Sequence, residues 1–173
     1  MYAPQPEEKN PEQRIFSMWL YVISILGAIA QYAESWQMVI LGCIIVGLAG
    51  FMVKAQRLTA QNTIYVSHVE WISRTLTIGS RYLFPLSLIL TMYLVYTLTD
   101  IDSLKKIIAS SNTDDLDVLW NLIKQYTDKN APRIDRITTW CITPPIFWWV
   151  RRCWYGLMRA DKSEPIDYPD SLF

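Results

Sequence analysis

Three long stretches of the chain contain no charged side chain, and they limit what it can fold into. They cover residues 15–33, 37–53 and 82–98, which is 19, 17 and 17 residues. An α-helix rises about 1.5 Å per residue and the bilayer core is about 30 Å thick, so roughly 17 to 25 residues are needed to cross it. A soluble helix would show a polar face, and the first two stretches have none. The sequence therefore predicts an all-α, polytopic membrane protein surrounded by a lipid bilayer.

A fourth apolar stretch, residues 137–150, is shorter and contains Pro144 and Pro145. Runs of about 10 to 14 apolar residues are often buried or re-entrant segments. Alternatively, the stretch crosses the membrane as a kinked helix, with Arg151 and Arg152 extending to the headgroups. We favour the crossing and predict about four transmembrane helices, near residues 15–33, 37–53, 75–98 and 137–157.

The first apolar stretch also resembles a secretory signal, because Ala28 and Ala30 precede Gln31 in the manner of a cleavage site. The region before the apolar core of a signal is usually basic. Residues 1–14, in contrast, contain three Glu against two basic residues. We therefore expect an uncleaved first helix that follows a tail of residues 1–14.

Basic residues are unevenly distributed among the segments that connect the apolar stretches. Ten of the sixteen lie in residues 1–14, in residues 54–81 and from residue 151 onward, while the other six lie in residues 99–136 beside seven Asp. Basic residues near membrane helices are found mainly on the cytoplasmic side. The distribution predicts one membrane domain with cytoplasmic N- and C-termini, a C-terminal tail of residues 159–173, and an outward-facing helical insertion of residues 99–136.

The insertion has its own helical signals. Asp102 can cap one helix, and Thr113 can cap a second that starts with acidic residues. The second helix has an apolar stripe. It could lie on the membrane surface, but such helices usually carry basic polar faces and this one is acidic. We favour packing against other helices of the chain or against a partner subunit, through the stripe residues Leu116, Leu119, Trp120 and Ile123.

Few side chains are of the kind that carries chemistry. His68 is the only histidine, and Cys43, Cys141 and Cys153 lack the CxxC spacing of metal and redox sites. The motifs of phosphate-binding loops, serine hydrolases and zinc proteases do not occur. We expect no metal, no cofactor and no catalytic residue. Because sixteen basic residues balance sixteen acidic ones, we expect no nucleic-acid partner either.

The segment SHVEWISRT precedes the third uncharged stretch and is the most informative part of the chain. If it is helical, His68, Trp71 and Thr75 share one face. In a structural interpretation, Trp71 anchors the helix at the membrane interface and Arg74 extends to the headgroups. In a functional interpretation, His68, Arg74 and Arg81 bind a lipid phosphate or the carboxylate of a partner.

This segment resembles the S-H-x-x-W-x-x-R-T motif of a family of small bacterial inner-membrane proteins grouped with the Tic20-like superfamily. A second signature of that family is an Arg four residues before Gly-Leu, followed later by Pro-Ile. Arg152, Gly156-Leu157 and Pro165-Ile166 match it here. The resemblance covers roughly residues 58–173. It implies a helical protein of the bacterial inner membrane and brings no established activity with it.

The chain departs from the family pattern in the long connection of residues 99–136, in an additional N-terminal hairpin, and in lacking a Trp before the final Leu-Phe. Both signatures fall on the predicted cytoplasmic side. We therefore hypothesise that they pack together, with Glu70, Asp161 or Glu164 balancing the arginines. The predicted interaction cluster consists of His68, Trp71, Arg74, Thr75, Arg152, Gly156 and Pro165.

These observations predict a non-enzymatic inner-membrane protein that acts as an accessory or scaffold subunit of an envelope complex, with a protein partner in the membrane. The alternative is a small transporter, channel or lipid-handling protein. Ionisable residues inside the spans usually mark such proteins, and the first two uncharged stretches have none. An intramembrane enzyme ranks third, because the sequence offers no nucleophile with a neighbouring base.

Overall fold

The computed structural model describes residues 11–31, 36–57, 63–111 and 116–169, and these ranges contain helices and no strands. In chain order, the helices are α1 (Pro11–Ala30), α2 (Trp36–Arg57), α3 (Thr63–Ile78), a π-helical turn (Gly79–Leu83), α4 (Phe84–Leu98), α5 (Ile101–Ser111) and α6 (Leu116–Asp161). The predicted all-α class is confirmed. Residues 1–10 of the predicted tail, the predicted cap at Thr113 and the last four residues lie outside the described ranges.

Three helical segments are long and apolar enough to cross a membrane: Pro11–Ala30, Gln37–Arg57 and Ile64–Leu98. The last of these combines α3, the π-helical turn and α4. Many of their apolar side chains are exposed, among them Leu48 and Phe51 of α2. Exposed apolar surface of this extent is unfavourable in water and favourable in contact with lipid.

The number of such segments among the described residues is three, whereas we predicted about four. Residues 137–157 are helical throughout, but they lie within the 46-residue α6. Three Thr, two Pro and two Arg make this stretch less apolar than the other three. The helix continues through Pro144 and Pro145, which excludes a re-entrant turn at that point.

The described residues form two compact units, and the first combines residues 11–83 with residues 145–169. In this unit α1 packs against α2 and α3. The first two helices approach closely at Gly27 and Gly42, where a Cβ atom on Gly42 would lie 2.8 Å from the carbonyl oxygen of Gly27. Small residues allow such close approach of membrane helices. The largest fully buried side chains of the unit are Trp71, Trp149 and Tyr21.

The second unit comprises α4, α5 and residues 116–144 of α6. Arg133 Nη1 donates to the carbonyl oxygen of Leu98 at 2.8 Å, and Tyr126 Oη donates to Thr99 Oγ1 at 2.5 Å. These bonds attach α6 to the end of α4. The predicted insertion of residues 99–136 is therefore α5 plus the first part of α6, and α6 continues without a break past residue 136.

The apolar stripe at the start of α6 is exposed. Leu116 is 79% exposed and Trp120 is 68% exposed, and Ile123 is exposed as well. We favoured packing of this stripe against other helices of the chain or against a partner subunit. The first of these two arrangements is not found for Leu116 and Trp120. The described residues therefore leave this stripe uncovered.

Candidate functional site

The residues of the SHVEWISRT segment form the buried face of α3. His68, Trp71 and Thr75 are spaced by three and four residues, which places them on one side of a helix. All three are buried, as is Ile72 between them. Thr75 Oγ1 donates to the carbonyl oxygen of Trp71 at 2.8 Å, one turn earlier. The face therefore presents an imidazole, an indole and a hydroxyl to the interior of the first unit.

Arg152 of α6 meets this face and is only 3% exposed. Its Nε donates to Thr75 Oγ1 at 3.0 Å, and its carbonyl oxygen accepts from Trp71 Nε1 at 3.0 Å. Its guanidinium carbon lies 3.6 Å from the centre of the Trp71 ring and 5.2 Å from that of Trp148. A planar guanidinium stacks on aromatic rings in a way that a Lys ammonium does not. We call His68, Trp71, Thr75 and Arg152 the buried cluster.

His68 joins the buried cluster to two distant parts of the chain. Its Nε2 lies 3.0 Å from the carbonyl oxygen of Glu164, and its Nδ1 lies 2.9 Å from Tyr21 Oη. A carbonyl oxygen can only accept, so Nε2 carries the hydrogen. In the neutral ring, Nδ1 then accepts from the Tyr21 hydroxyl. Both ring nitrogens are therefore used within the chain, which does not support the functional interpretation of His68 as a ligand-binding residue.

The chain after α6 folds back towards α3 because of the way the helix ends. Ser163 has a φ of 56°, in the left-handed region. The amide of Glu164 donates to the carbonyl oxygen of Arg159, and that of Ser163 donates to Ala160. This pair of bonds is a Schellman motif, in which the residue after the cap adopts the left-handed conformation. It directs the following segment to α3, where the amide of Ile166 donates to Ser67 Oγ at 3.0 Å.

Gly156 and Gly79 let aromatic rings pack directly against the helix backbone. A Cβ atom on Gly156 would overlap the ring of Tyr21, and one on Gly79 would overlap the ring of Trp149. Both aromatic side chains are completely buried. Glycine at these two positions is therefore required by close approach, because any side chain would displace an aromatic ring.

Of the seven predicted site residues, the structure places Trp71, Thr75 and Arg152 in direct contact. His68 lies on the same buried face of α3, and Gly156 is buried against the ring of Tyr21. Pro165 is exposed and contributes its carbonyl oxygen to Arg159 Nη1 at 3.1 Å. Arg74 is exposed as well, although its positive charge acts on that of Arg152.

We expected Glu70, Asp161 or Glu164 to balance the arginines of the predicted cluster, but Asp161 and Glu164 pair with two other arginines. Asp161 contacts Arg14 at 2.7 Å, and Glu164 lies 3.7 Å from Arg159. Asp167 binds Arg159 at 2.8 Å. Desolvation lowers the pKa of Arg159, but interactions with Tyr155 and Asp167 outweigh it and raise that pKa above its ordinary value. Arg159 therefore keeps its charge and holds the segment after α6 in place.

Sequence reasoning missed several residues that complete the site. Tyr21 lies in α1, outside the region of the family resemblance, and no local pattern connects it to His68. Ser67 belongs to the motif, but its bond to the amide of Ile166 depends on the return of the chain after α6. Trp149 is buried opposite Gly79, but nothing in the sequence distinguishes it from the other tryptophans near it.

A cavity of about 270 Å³ lies beside the buried cluster. Arg151 and Arg152 provide two positive charges, and the remaining lining is aromatic or apolar. The rings of Trp71 and Tyr155 are 5.6 Å apart at one side of it. The described residues that line it are Trp71, Trp148, Arg151, Arg152, Tyr155, Ile166 and Tyr168. In the described ranges, no three His, Cys, Asp or Glu side chains are grouped so that they could hold a metal ion.

Comparison with known proteins identifies no relative that would assign this site a role. No protein-family model matches the chain, and neither a curated protein nor a solved structure is significantly similar to it. The role of the site is therefore argued from its own contacts.

Proposed function

We propose that this protein is a non-enzymatic subunit of an envelope complex in the bacterial inner membrane, where it acts as a scaffold or accessory component. The observation that carries the proposal is the exposed pair Leu116 and Trp120. They are four residues apart and so share one face of α6. Large exposed apolar side chains grouped on one surface mark interaction sites.

The charged residues around this face indicate that a protein, rather than the membrane surface, covers Leu116 and Trp120. Asp117 and Asp128 are exposed on the same part of α6, and so are Lys124 and Lys129. Helices that lie on membranes normally have basic polar faces, whereas the charges here are of both signs. A partner subunit with an apolar groove and polar residues around it would match the exposed side chains.

The bonds of the buried cluster support a structural rather than a catalytic role for the motif. His68 bonds to Tyr21 and to Glu164, and Arg152 bonds to Thr75. These contacts join α1, α3, α6 and the segment after α6. A catalytic group needs access to a substrate, whereas these side chains are buried and engaged with one another.

We propose further that both termini are cytoplasmic and that the chain belongs to the Tic20-like family that its motifs resemble. The contact of Arg14 with Asp161 supports the first statement, because it joins the start of α1 to the end of α6. Two chain ends that touch lie on the same side of a membrane, so the chain between them crosses an even number of times, and α6 would add one crossing to those of the three apolar segments. The uneven distribution of basic residues then assigns that side to the cytoplasm.

Site-specific photocrosslinking in native membranes tests the scaffold function. A photoreactive residue at Trp120 should give a discrete adduct with one protein, identified by mass spectrometry. The matched control is Gln125, which is exposed on the same helix but points about 140° away from Trp120. We expect no protein adduct from that position. Adducts with lipid alone from Trp120, or equal adducts from both positions, would contradict the proposal.

A small transporter or lipid-handling protein is the second candidate, and the cavity lined by Arg151 and Arg152 is the observation in its favour. Reconstitution into liposomes distinguishes the two. A flux above that of empty liposomes, abolished by His68→Ala or Arg74→Ala, would place transport ahead of the scaffold function.

A further inference from the structure

We propose that the cavity beside Arg152 binds the phosphate group of an anionic phospholipid. This inference does not depend on the scaffold function, because the cavity lies in the first unit and the exposed apolar face lies in the second. Among the described residues, the cavity is lined by two arginines, four aromatic residues and Ile166, and none of these is acidic. Positive and aromatic walls of this kind favour an anionic ligand.

Arg152 is held in a fixed orientation before any ligand arrives. Its Nε–H is directed to Thr75 Oγ1, and its plane stacks on the Trp71 ring. A guanidinium has five N–H groups in a rigid fork, so a fixed Nε also fixes the directions of the Nη groups. A preorganised side chain loses little conformational entropy on binding, which increases affinity.

Arg151 and Arg74 add positive charge at the same place. Arg151 is exposed and lines the cavity, and the positive charge of Arg74 acts on Arg152. Arginines that repel one another are stabilised together by an anion between or beside them. Guanidinium groups bind phosphate through parallel hydrogen bonds, which makes arginine the preferred residue for such sites.

The surface next to the cavity is suited to a lipid rather than to a free ion. Residues 151, 154, 155 and 158 recur at the spacing of one helix face. Trp154, Tyr155 and Met158 are exposed on this face. Trp and Tyr accumulate where lipid headgroups meet acyl chains. A lipid with its phosphate beside Arg151 could therefore lay an acyl chain along Trp154 and Met158.

The size of the cavity agrees with a headgroup. On the same measure, a space that holds one water molecule has a volume of about 10 to 15 Å³, so a cavity of about 270 Å³ holds many. A phosphate with a small esterified alcohol fits into this space, whereas two acyl chains do not and would remain outside. Ile166 and Tyr168 form the wall on the side of the segment after α6.

A binding titration of the full-length protein tests this proposal. The protein in a zwitterionic detergent is titrated with a short-chain phosphatidylglycerol, a short-chain phosphatidylcholine and inorganic phosphate, and dissociation constants are measured by thermophoresis. We expect saturable binding of phosphatidylglycerol and at least tenfold weaker binding of the other two. Arg151→Gln should weaken phosphatidylglycerol binding about tenfold, as expected for one charge-assisted contact.

The matched control is Arg57→Gln, which removes the same charge from an exposed position outside the cavity. It should leave the dissociation constant unchanged, and thermal unfolding of both variants should match that of the parent protein. Equal weakening by both variants, or no saturable binding of phosphatidylglycerol, would overturn the proposal. Inorganic phosphate that binds as tightly as the lipid would identify a free ion as the ligand and overturn the lipid assignment.

Discussion

The two parts of α6 differ in which side chains they bury: one buries a charged side chain, and the other exposes apolar ones. Near the end of the helix, Arg152 carries a charge and is buried, because its Nε donates to Thr75 Oγ1 and its carbonyl oxygen accepts from Trp71 Nε1. Near its start, Leu116 and Trp120 are apolar and exposed. Burial of a charge is unfavourable unless it is bonded, and exposure of apolar surface is unfavourable in water. Arg152 is bonded within the chain, whereas the apolar face of Leu116 and Trp120 is left uncovered by the described residues.

The largest expected effect comes from Arg152→Ala. The change removes a charged hydrogen bond to Thr75 and the stacking on Trp71, and it leaves space in a closely packed region. We expect a loss of about 3 kcal/mol in the free energy of unfolding. Thermal or SDS-induced unfolding of the purified protein in detergent measures it. Arg57→Ala, at an exposed position, should change stability by less than about 0.5 kcal/mol; similar values for the two variants would refute the role of the buried cluster.

Gly156→Ala should have the next largest effect. The new methyl group would overlap the ring of Tyr21, whose hydroxyl is bonded to His68. Overpacking of this kind costs about 2 kcal/mol. The control is Gly47→Ala, where a Cβ atom meets nothing within 4 Å and the change should stabilise the helix by about 0.5 kcal/mol. Unfolding curves of both variants and of the parent protein measure these changes in the free energy of unfolding. A stabilising Gly156→Ala would show that the contact with Tyr21 is absent.

A smaller, favourable effect is expected from Ser163→Gly. Ser163 has a positive φ, and a side chain is strained in that region while glycine is not. We expect the free energy of unfolding to rise by about 0.5 kcal/mol. This gain is smaller than the backbone strain that is relieved, because glycine has more conformational freedom than serine in the unfolded chain. Ser163→Val is the control and should destabilise the protein. The measurement is the unfolding midpoint, and a lower midpoint for the glycine variant would argue against the Schellman motif.

The smallest effect on stability is expected from Trp120→Gln, although this tryptophan is a large apolar residue. Its side chain is mainly exposed, so the free energy of unfolding should change by less than about 0.5 kcal/mol. Association with the proposed partner should be lost, as measured by co-purification from gently solubilised membranes. A strong loss of stability with intact co-purification would reverse the assignment of this face.

The comparison of the two parts of α6 also shows how far sequence patterns extend. The spacing of His68, Trp71 and Thr75 predicted a shared helix face, and the helix has it. The apolar spacing of Leu116 and Trp120 predicted a shared face in the same way. Only the structure shows that the first face is buried and the second exposed. Residue spacing predicts which side chains share a helix face, but it does not predict which other part of the protein packs against that face.

The prediction of a fourth span shows a second limit. The apolar residues of 137–150 and the arginines that follow suggested a separate kinked helix. In the structure they continue a helix that starts at Leu116. Two prolines usually end or kink a soluble helix, so they suggested a kinked span or a re-entrant segment. Neighbouring helices can compensate for the lost backbone bonds in a membrane protein, and a sequence does not show whether they do.

By itself, the sequence determined the helical class and the three apolar segments. Both follow from local quantities, namely the length of uncharged runs and the spacing of side chains along one helix. Only the tertiary structure decided the bonds between distant residues. His68 bonds to Tyr21, 47 positions away, and to the carbonyl oxygen of Glu164, 96 positions away. Arg152 bonds to Thr75, 77 positions away. Such bonds depend on how the helices pack and on how the chain returns after Ser163. Because packing is set jointly by residues from every helix, no local pattern contains it.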